Sequence, residues 1–190
     1  QLSNNVMLEN LTFENCHSFY GGAAYVYSSQ NENKVSISDC KFLYNQASTV
    51  PNGDNLFGGS ALFLTAKNLA IKNCQFTSVE SPKGACKVSN IFNRDDITGE
   101  RSIGLEVDEN DQPNVVIVGC QFDSLSEAED AILIESKLAN KIYISECKFA
   151  GKLEKGGHYI SGTLNRRMVS KIEVENCVFE QKGNDEINIL

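Results

Sequence analysis

Clustered carboxylates, seven cysteines and two histidines are the side chains of this sequence that could carry chemistry. General acid–base chemistry needs paired carboxylates, or a carboxylate with a basic partner, on one face. Three groups supply material: Asp95 and Asp96 between Arg94 and Arg101, the run Asp108, Glu109 and Asp111, and the pair Glu173 and Glu175. The run could also offer oxygens to calcium, although it lacks the glycine and terminal glutamate of a calcium loop. Zinc sites favour a close pair such as C-x-x-C, which is missing; the nearest histidine to a cysteine is His17, beside Cys16. His158 follows paired glycines in "GGHY" and reads as a surface residue at a corner. No metal or other cofactor is therefore expected.

Whether any of these groups meet depends on the elements that hold them, and here an internal repeat is decisive. Six segments align: "VMLENLTF", "VSISDCKF", "LAIKNCQF", "VVIVGCQF", "IYISECKF" and "IEVENCVF", ending at Phe13, Phe42, Phe76, Phe122, Phe149 and Phe179. Each alternates apolar and polar residues as a strand with one buried face does. The position before the cysteine breaks the alternation. It holds Asp39, Asn73, Gly119, Glu146 and Asn176, mostly residues that tolerate a bend. A second strand recurs in each period as "GGAAYVY", "GGSALFL", "SIGLEV", "DAILIES" and "GGHYISG", with a last fragment "EINIL". No stretch has helical periodicity.

Two strands per period and sharp small-residue corners predict an all-β chain folded as a parallel β-helix of about five to six coils. Each coil would stack on the next to bury a face it cannot bury alone. A β-sandwich would instead predict Asn-Gly hairpins, and Asn52-Gly53 lies in a loop. The whole chain, 1–190, is expected to form one β-helix segment of a longer solenoid, with a loop insertion at 80–101 in the third coil. Right-handed coiling follows from the general rule for parallel crossovers.

The repeat assigns the cysteines. Cys40, Cys74, Cys120, Cys147 and Cys177 occupy one position and should form an inward file of parallel side chains, poor geometry for disulfides and suited to small buried hydrophobes. Cys86 falls inside the expected insertion and Cys16 just past its strand, which leaves those two as candidates for reactivity or pairing.

Aligning the second strands at their glycines gives an outward row of Val26, Phe63, Glu106, Leu133 and Ser161. Val26, Phe63 and Leu133 are apolar where solvent is expected and form the candidate binding row. It would be covered by a partner or by the long loop Asn45 to Phe57.

The pairing of "FLYN" (Phe42 to Asn45) with "GGSA" (Gly58 to Ala61) resembles the F-x-x-N and G-G-A-[ILV] repeats of the chlamydial polymorphic outer-membrane protein family. More widely, the chain is similar to right-handed β-helices of the pectin-lyase-like superfamily and to surface proteins of protists. The first coil departs from the pattern, with "FENC" placing Cys16 at the asparagine position, and the third and fourth coils lack the glycines. The resemblance implies an extracellular or cell-surface location and an adhesive or structural role. It also raises the alternative of a polysaccharide lyase or hydrolase, since that superfamily contains many.

The net charge of −8 argues against nucleic acid or anionic lipid as partners, and no apolar run is long enough to insert into a membrane. The expected partners are other protein chains or further coils at the helix ends, with carbohydrate as a further candidate. Because the chain begins at Gln1 and stops within "EINIL", it reads as an excised piece, and a third function alternative is a module that polymerises through open ends. One N-x-T sequon, Asn10-Leu11-Thr12, would be glycosylated in a secreted eukaryotic protein unless its bend position hides it.

Overall fold

A computed structural model describes residues 5–18, 21–27, 34–47, 59–65, 68–78, 86–89, 115–123, 130–136, 141–151, 158–164 and 171–181. Within them the chain winds repeatedly through three parallel sheets. The first stacks β1 (Val6–Glu9), β5 (Lys34–Ser38), β8 (Asn68–Lys72), β11 (Val115–Val118), β14 (Lys141–Ser145) and β17 (Lys171–Glu175). The second stacks β2 (Thr12–Glu14), β6 (Lys41–Ala47), β9 (Gln75–Ser78), β12 (Gln121–Asp123), β15 (Lys148–Gly151) and β18 (Val178–Gln181), with β3 (His17–Ser18) pairing the far end of β6. The third stacks β4 (Ala24–Tyr27), β7 (Leu62–Thr65), β10 (Cys86–Ser89), β13 (Asp130–Ser136) and β16 (His158–Leu164). Each strand pairs with its equivalent one coil away, so the described residues form an all-β parallel β-helix of six coils.

The alternation seen in sequence becomes ladders in the core. Val35, Leu69, Val115 and Ile142 form one buried row, and Ile37, Ile71, Ile117 and Ile144 the next. Phe13, Phe42, Phe76, Phe122, Phe149 and Phe179 stack with centroids 4.8 to 5.1 Å apart and planes within 7°. That spacing is the separation of hydrogen-bonded strands, so the backbone repeat itself sets the ring stack.

Between the first and second sheets the chain turns on one left-handed residue per coil: Asn10 (φ 54°), Asp39 (54°), Asn73 (53°), Gly119 (65°), Glu146 (55°) and Asn176 (53°). A single such residue turns the corner without interrupting the ladder. Asn10 N donates to Ser38 O at 3.2 Å and Asp39 N to Lys72 O at 3.0 Å. On the far side of the bend Lys41 N donates to Leu11 O at 2.8 Å and Gln75 N to Cys40 O at 3.0 Å. Asparagine and aspartate tolerate this conformation better than other side chains, which accounts for the residue types at the break in the repeat.

Two sequence expectations change. The 80–101 stretch is not loop throughout: Cys86–Ser89 is the third-sheet strand of the third coil, with Cys86 opposite Leu62 and Ile132. "SIGLEV", read as that strand, lies outside the described residues. Cys86 thus belongs to the coil rather than to an insertion.

The glycine alignment also slips by one. Gly21 (φ 51°) and Gly59 (φ 73°) are the left-handed corner residues, so the first glycine of "GGAA" matches the second of "GGSA". A Cβ on Gly21 would meet Ala24 O at 2.0 Å, and one on Gly59 would meet Leu62 O at 2.1 Å. Both positions therefore exclude every side chain. Two residues after each of these glycines comes alanine, as Ala61, buried in the core, and Ala23, packed against it; Ala131, just before Ile132 in its coil, is buried likewise. In the fifth coil Tyr159, just before Ile160, inserts its ring against Phe149 and Phe179, at 5.8 and 5.4 Å, and donates its hydroxyl to Gly151 O at 3.3 Å.

Candidate functional site

The corrected register redraws the candidate outward row. Tyr25 pairs with Phe63 and Val26 with Leu64, so the row runs Tyr25, Phe63, Lys87, Leu133, Ser161. Val26 is not on it: it faces inward, half-buried against the core. Phe63 is on the row but not exposed. At 7% exposure in the lone chain, it is buried by the chain's own residues although it stands outside the core cluster. Leu133 keeps its place in the row by register. The aromatic that does reach solvent is Tyr25, 51% exposed, its ring 5.4 Å from that of Phe63 at a 38° tilt. Matching the left-handed glycines, rather than the glycine pairs, would have found Tyr25. Residues 48–57 of the loop expected to cover the row lie outside the described residues.

A second built feature is the corner of the first two coils, made by the asparagine of "FLYN". Tyr44 adopts φ 55° and Asn15 φ 53°, and between Leu43 and Asn45 the pairing of β6 with β9 shifts register. That bulge turns Asn45 inward, where it is 2% exposed. Its Nδ2 donates to Phe13 O at 3.0 Å and its Oδ1 accepts from Cys16 N at 2.9 Å. The side chain thus stands in for strand pairing where the backbone of the first coil turns away, and buried backbone groups need such partners. Cys16, at the equivalent position of the first coil, sends its thiol to Glu14 O at 3.6 Å and is a free thiol.

The cysteine file lies where the repeat places it. Cys40, Cys74, Cys120 and Cys147 are buried free thiols, and Cys177 is half-buried. Each thiol donates to the carbonyl two residues earlier, at the bend: Cys40 to Ser38 O at 3.1 Å, Cys74 to Lys72 O at 3.2 Å and Cys147 to Ser145 O at 3.2 Å. Burial raises the Cys40 and Cys177 thiols. Cys120, in the middle, is pushed up first by its hydrogen bonds to Cys147 and Cys74 and then by burial. Those bonds in turn draw Cys74 and Cys147 down, against burial. The file is thus a stack of thiols whose buried central member, Cys120, is held above the ordinary thiol range.

The carboxylates come together less than the sequence allowed. Tyr143 and Ser145 are the partners of Glu173 and Glu175 in the preceding coil. Tyr143 donates its hydroxyl to Glu175 Oε2 at 3.2 Å, and Lys171 is ion-paired with Glu173, whose carboxylate raises the lysine. Lys148 and Glu180 pair nearby at 3.0 Å. Arg94, Asp95, Asp96, Arg101, Asp108, Glu109 and Asp111 lie outside the described residues, and His158 begins β16. Among the described residues no three of His, Cys, Asp or Glu gather as a metal site would require.

A family model described as right handed beta helix region matches residues 1–179. No match was found among curated proteins or among solved structures.

Proposed function

Because the chain belongs to the right-handed β-helix family, we propose that it works as a non-catalytic rigid scaffold or binding module of an extracellular or surface-displayed protein. The observation that carries this reading is the unbroken interior. Six phenylalanines stack in register, and hydrogen bonds of 2.8 to 3.2 Å continue through the bends on either side of the left-handed residues. Such a rod resists bending, and its outward rows and corner loops are free to vary. Among the described side chains of the third sheet, Tyr25 is suited to contact a partner, because it combines an exposed ring with a polar tip.

The outer face supports scaffold over lyase or hydrolase. Its adjacent carboxylates, Glu173 and Glu175, are engaged by Lys171 and Tyr143, and their partners in the preceding coil, Tyr143 and Ser145, supply no second carboxylate. In the first and last described coils the inward residues, Leu8 and Phe13 in one and Ile172, Val174 and Phe179 in the other, are half-buried, which supports the stacking of further chain or a partner against them. The test is an assay for reducing ends and for unsaturated uronic products across acidic and neutral polysaccharides, run beside a binding assay on the same panel. Binding without turnover, or neither, is expected. Turnover that disappears in Glu175→Gln would replace this reading with the enzyme. Growth of mass with concentration in light scattering would favour a polymerising module.

A further inference from the structure

The outer corner of the first coil carries a motif that the scaffold reading leaves unused, Asn10-Leu11-Thr12, the one N-x-[ST] sequence in the chain. We propose that Asn10 is the acceptor of an N-linked oligosaccharide, a modification that rests on the extracellular reading above. The bend position does not hide it. Asn10 is exposed and left-handed, and the backbone amide that holds its corner together is already spent on Ser38 O at 3.2 Å. Its carboxamide is not needed there: among the described residues it has no hydrogen-bond partner. The equivalent residue of the next coil, Asp39, is engaged from the other side, its Oδ1 accepting from Asn73 Nδ2 at 3.3 Å. Thr12, at the start of β2, is exposed in the outward row with Lys41 and Gln75.

The contrast with Asn45 shows what the fold decides. Asn45 is buried and bonded on both sides of its carboxamide, so a sugar there would destroy a corner. A sugar on Asn10 displaces no core residue. In the transfer, Asn10 Nδ2 attacks the anomeric carbon of a lipid pyrophosphate-linked oligosaccharide. A carbon–nitrogen bond forms as the carbon–oxygen bond to the pyrophosphate breaks. The lipid pyrophosphate leaves with the electron pair and one amide proton goes to base, with no change of oxidation state. The hydroxyl at the third position of the sequon is Thr12.

The experiment takes the protein from its source, tags the surface pool with a membrane-impermeant biotin reagent, and removes N-glycans with peptide N-glycosidase in heavy-oxygen water. Asn10 should be recovered as heavy-oxygen-labelled aspartate in the peptide that contains it. Thr12→Ala keeps the left-handed asparagine but removes the sequon, and should lose the whole gel-mobility shift that Thr12→Ser retains. Surface-tagged protein with unmodified Asn10 overturns the glycan and leaves the extracellular reading standing. Protein that is never tagged and carries unmodified Asn10 overturns both. A glycan on protein that is never tagged supports this inference and sinks surface display alone.

Discussion

Replacing Asn45 tests the most local piece of the fold. Asn45→Ala leaves Phe13 O and Cys16 N without the partners they hold at 3.0 and 2.9 Å. A buried polar group stripped of its partner costs about 1 to 3 kcal/mol. The first coil is partly open to solvent, with Phe13 and Cys16 only half-buried, so water recovers some of this and the low end applies. Two groups at that end give a loss of about 2 to 3 kcal/mol. Asn45→Asp adds a sign. The carboxylate can still accept from Cys16 N, but its second oxygen then faces Phe13 O, and only the protonated acid can donate to that carbonyl. Burial and the facing carbonyl raise the folded pKa above the unfolded value of about 3.9. The stability of the aspartate variant relative to the parent should therefore be closest to intact below that value and fall as pH rises through the folded pKa. Urea denaturation of both variants and the parent at several pH values reads both effects. An alanine variant within about 0.5 kcal/mol of the parent, or an aspartate deficit that does not change with pH, would refute the account of this corner.

Three further expectations follow from the ladders. Phe76→Ala, between Phe42 and Phe122 in the stack, should cost about 3 to 5 kcal/mol. Phe179→Ala, half-buried at the last described coil, should cost clearly less; equal costs would mean that the stack is not what stabilises the core. Glu146→Gly relieves a left-handed glutamate (φ 55°) and should raise the denaturation midpoint, gaining about 0.5 to 1 kcal/mol. Gly119→Ala (φ 65°) should lower it by about 1 to 2 kcal/mol, more if Asn73 Oδ1, 2.6 Å from the new Cβ, cannot move; the reverse order would refute the bend assignment. In a short pulse of iodoacetamide read by peptide mass spectrometry, Cys16 should be labelled first, and Cys120, buried and raised, only on unfolding. Labelling of both at one rate would place Cys120 outside the core.

The ladders were legible in the sequence because they are one-dimensional. A parallel coil puts each side chain directly over its equivalent, so a repeated Cys-x-Phe reports a repeated inward position, and the bend residues announce themselves by tolerating positive φ. The third sheet was less legible. "CKVS" is short and carries no glycine pair or strong alternation, and its strand character comes from pairing with Leu62–Leu64 on one side and Ile132–Glu135 on the other.

Composition and repeat by themselves determined the fold class, the inward cysteine and phenylalanine files and the positions of the bends, since all of these follow from a local pattern repeated along the chain. Register at the glycine corners, and with it the exchange of Val26 for Tyr25 on the outer face, was decided by the tertiary structure. In sequence either glycine of a pair can serve, and the fold selects Gly21 and Gly59 by placing them at positive φ, where Gly22 is not. The burial of Phe63 was decided there too: a strand position that the alternation marks as outward is buried in the folded chain.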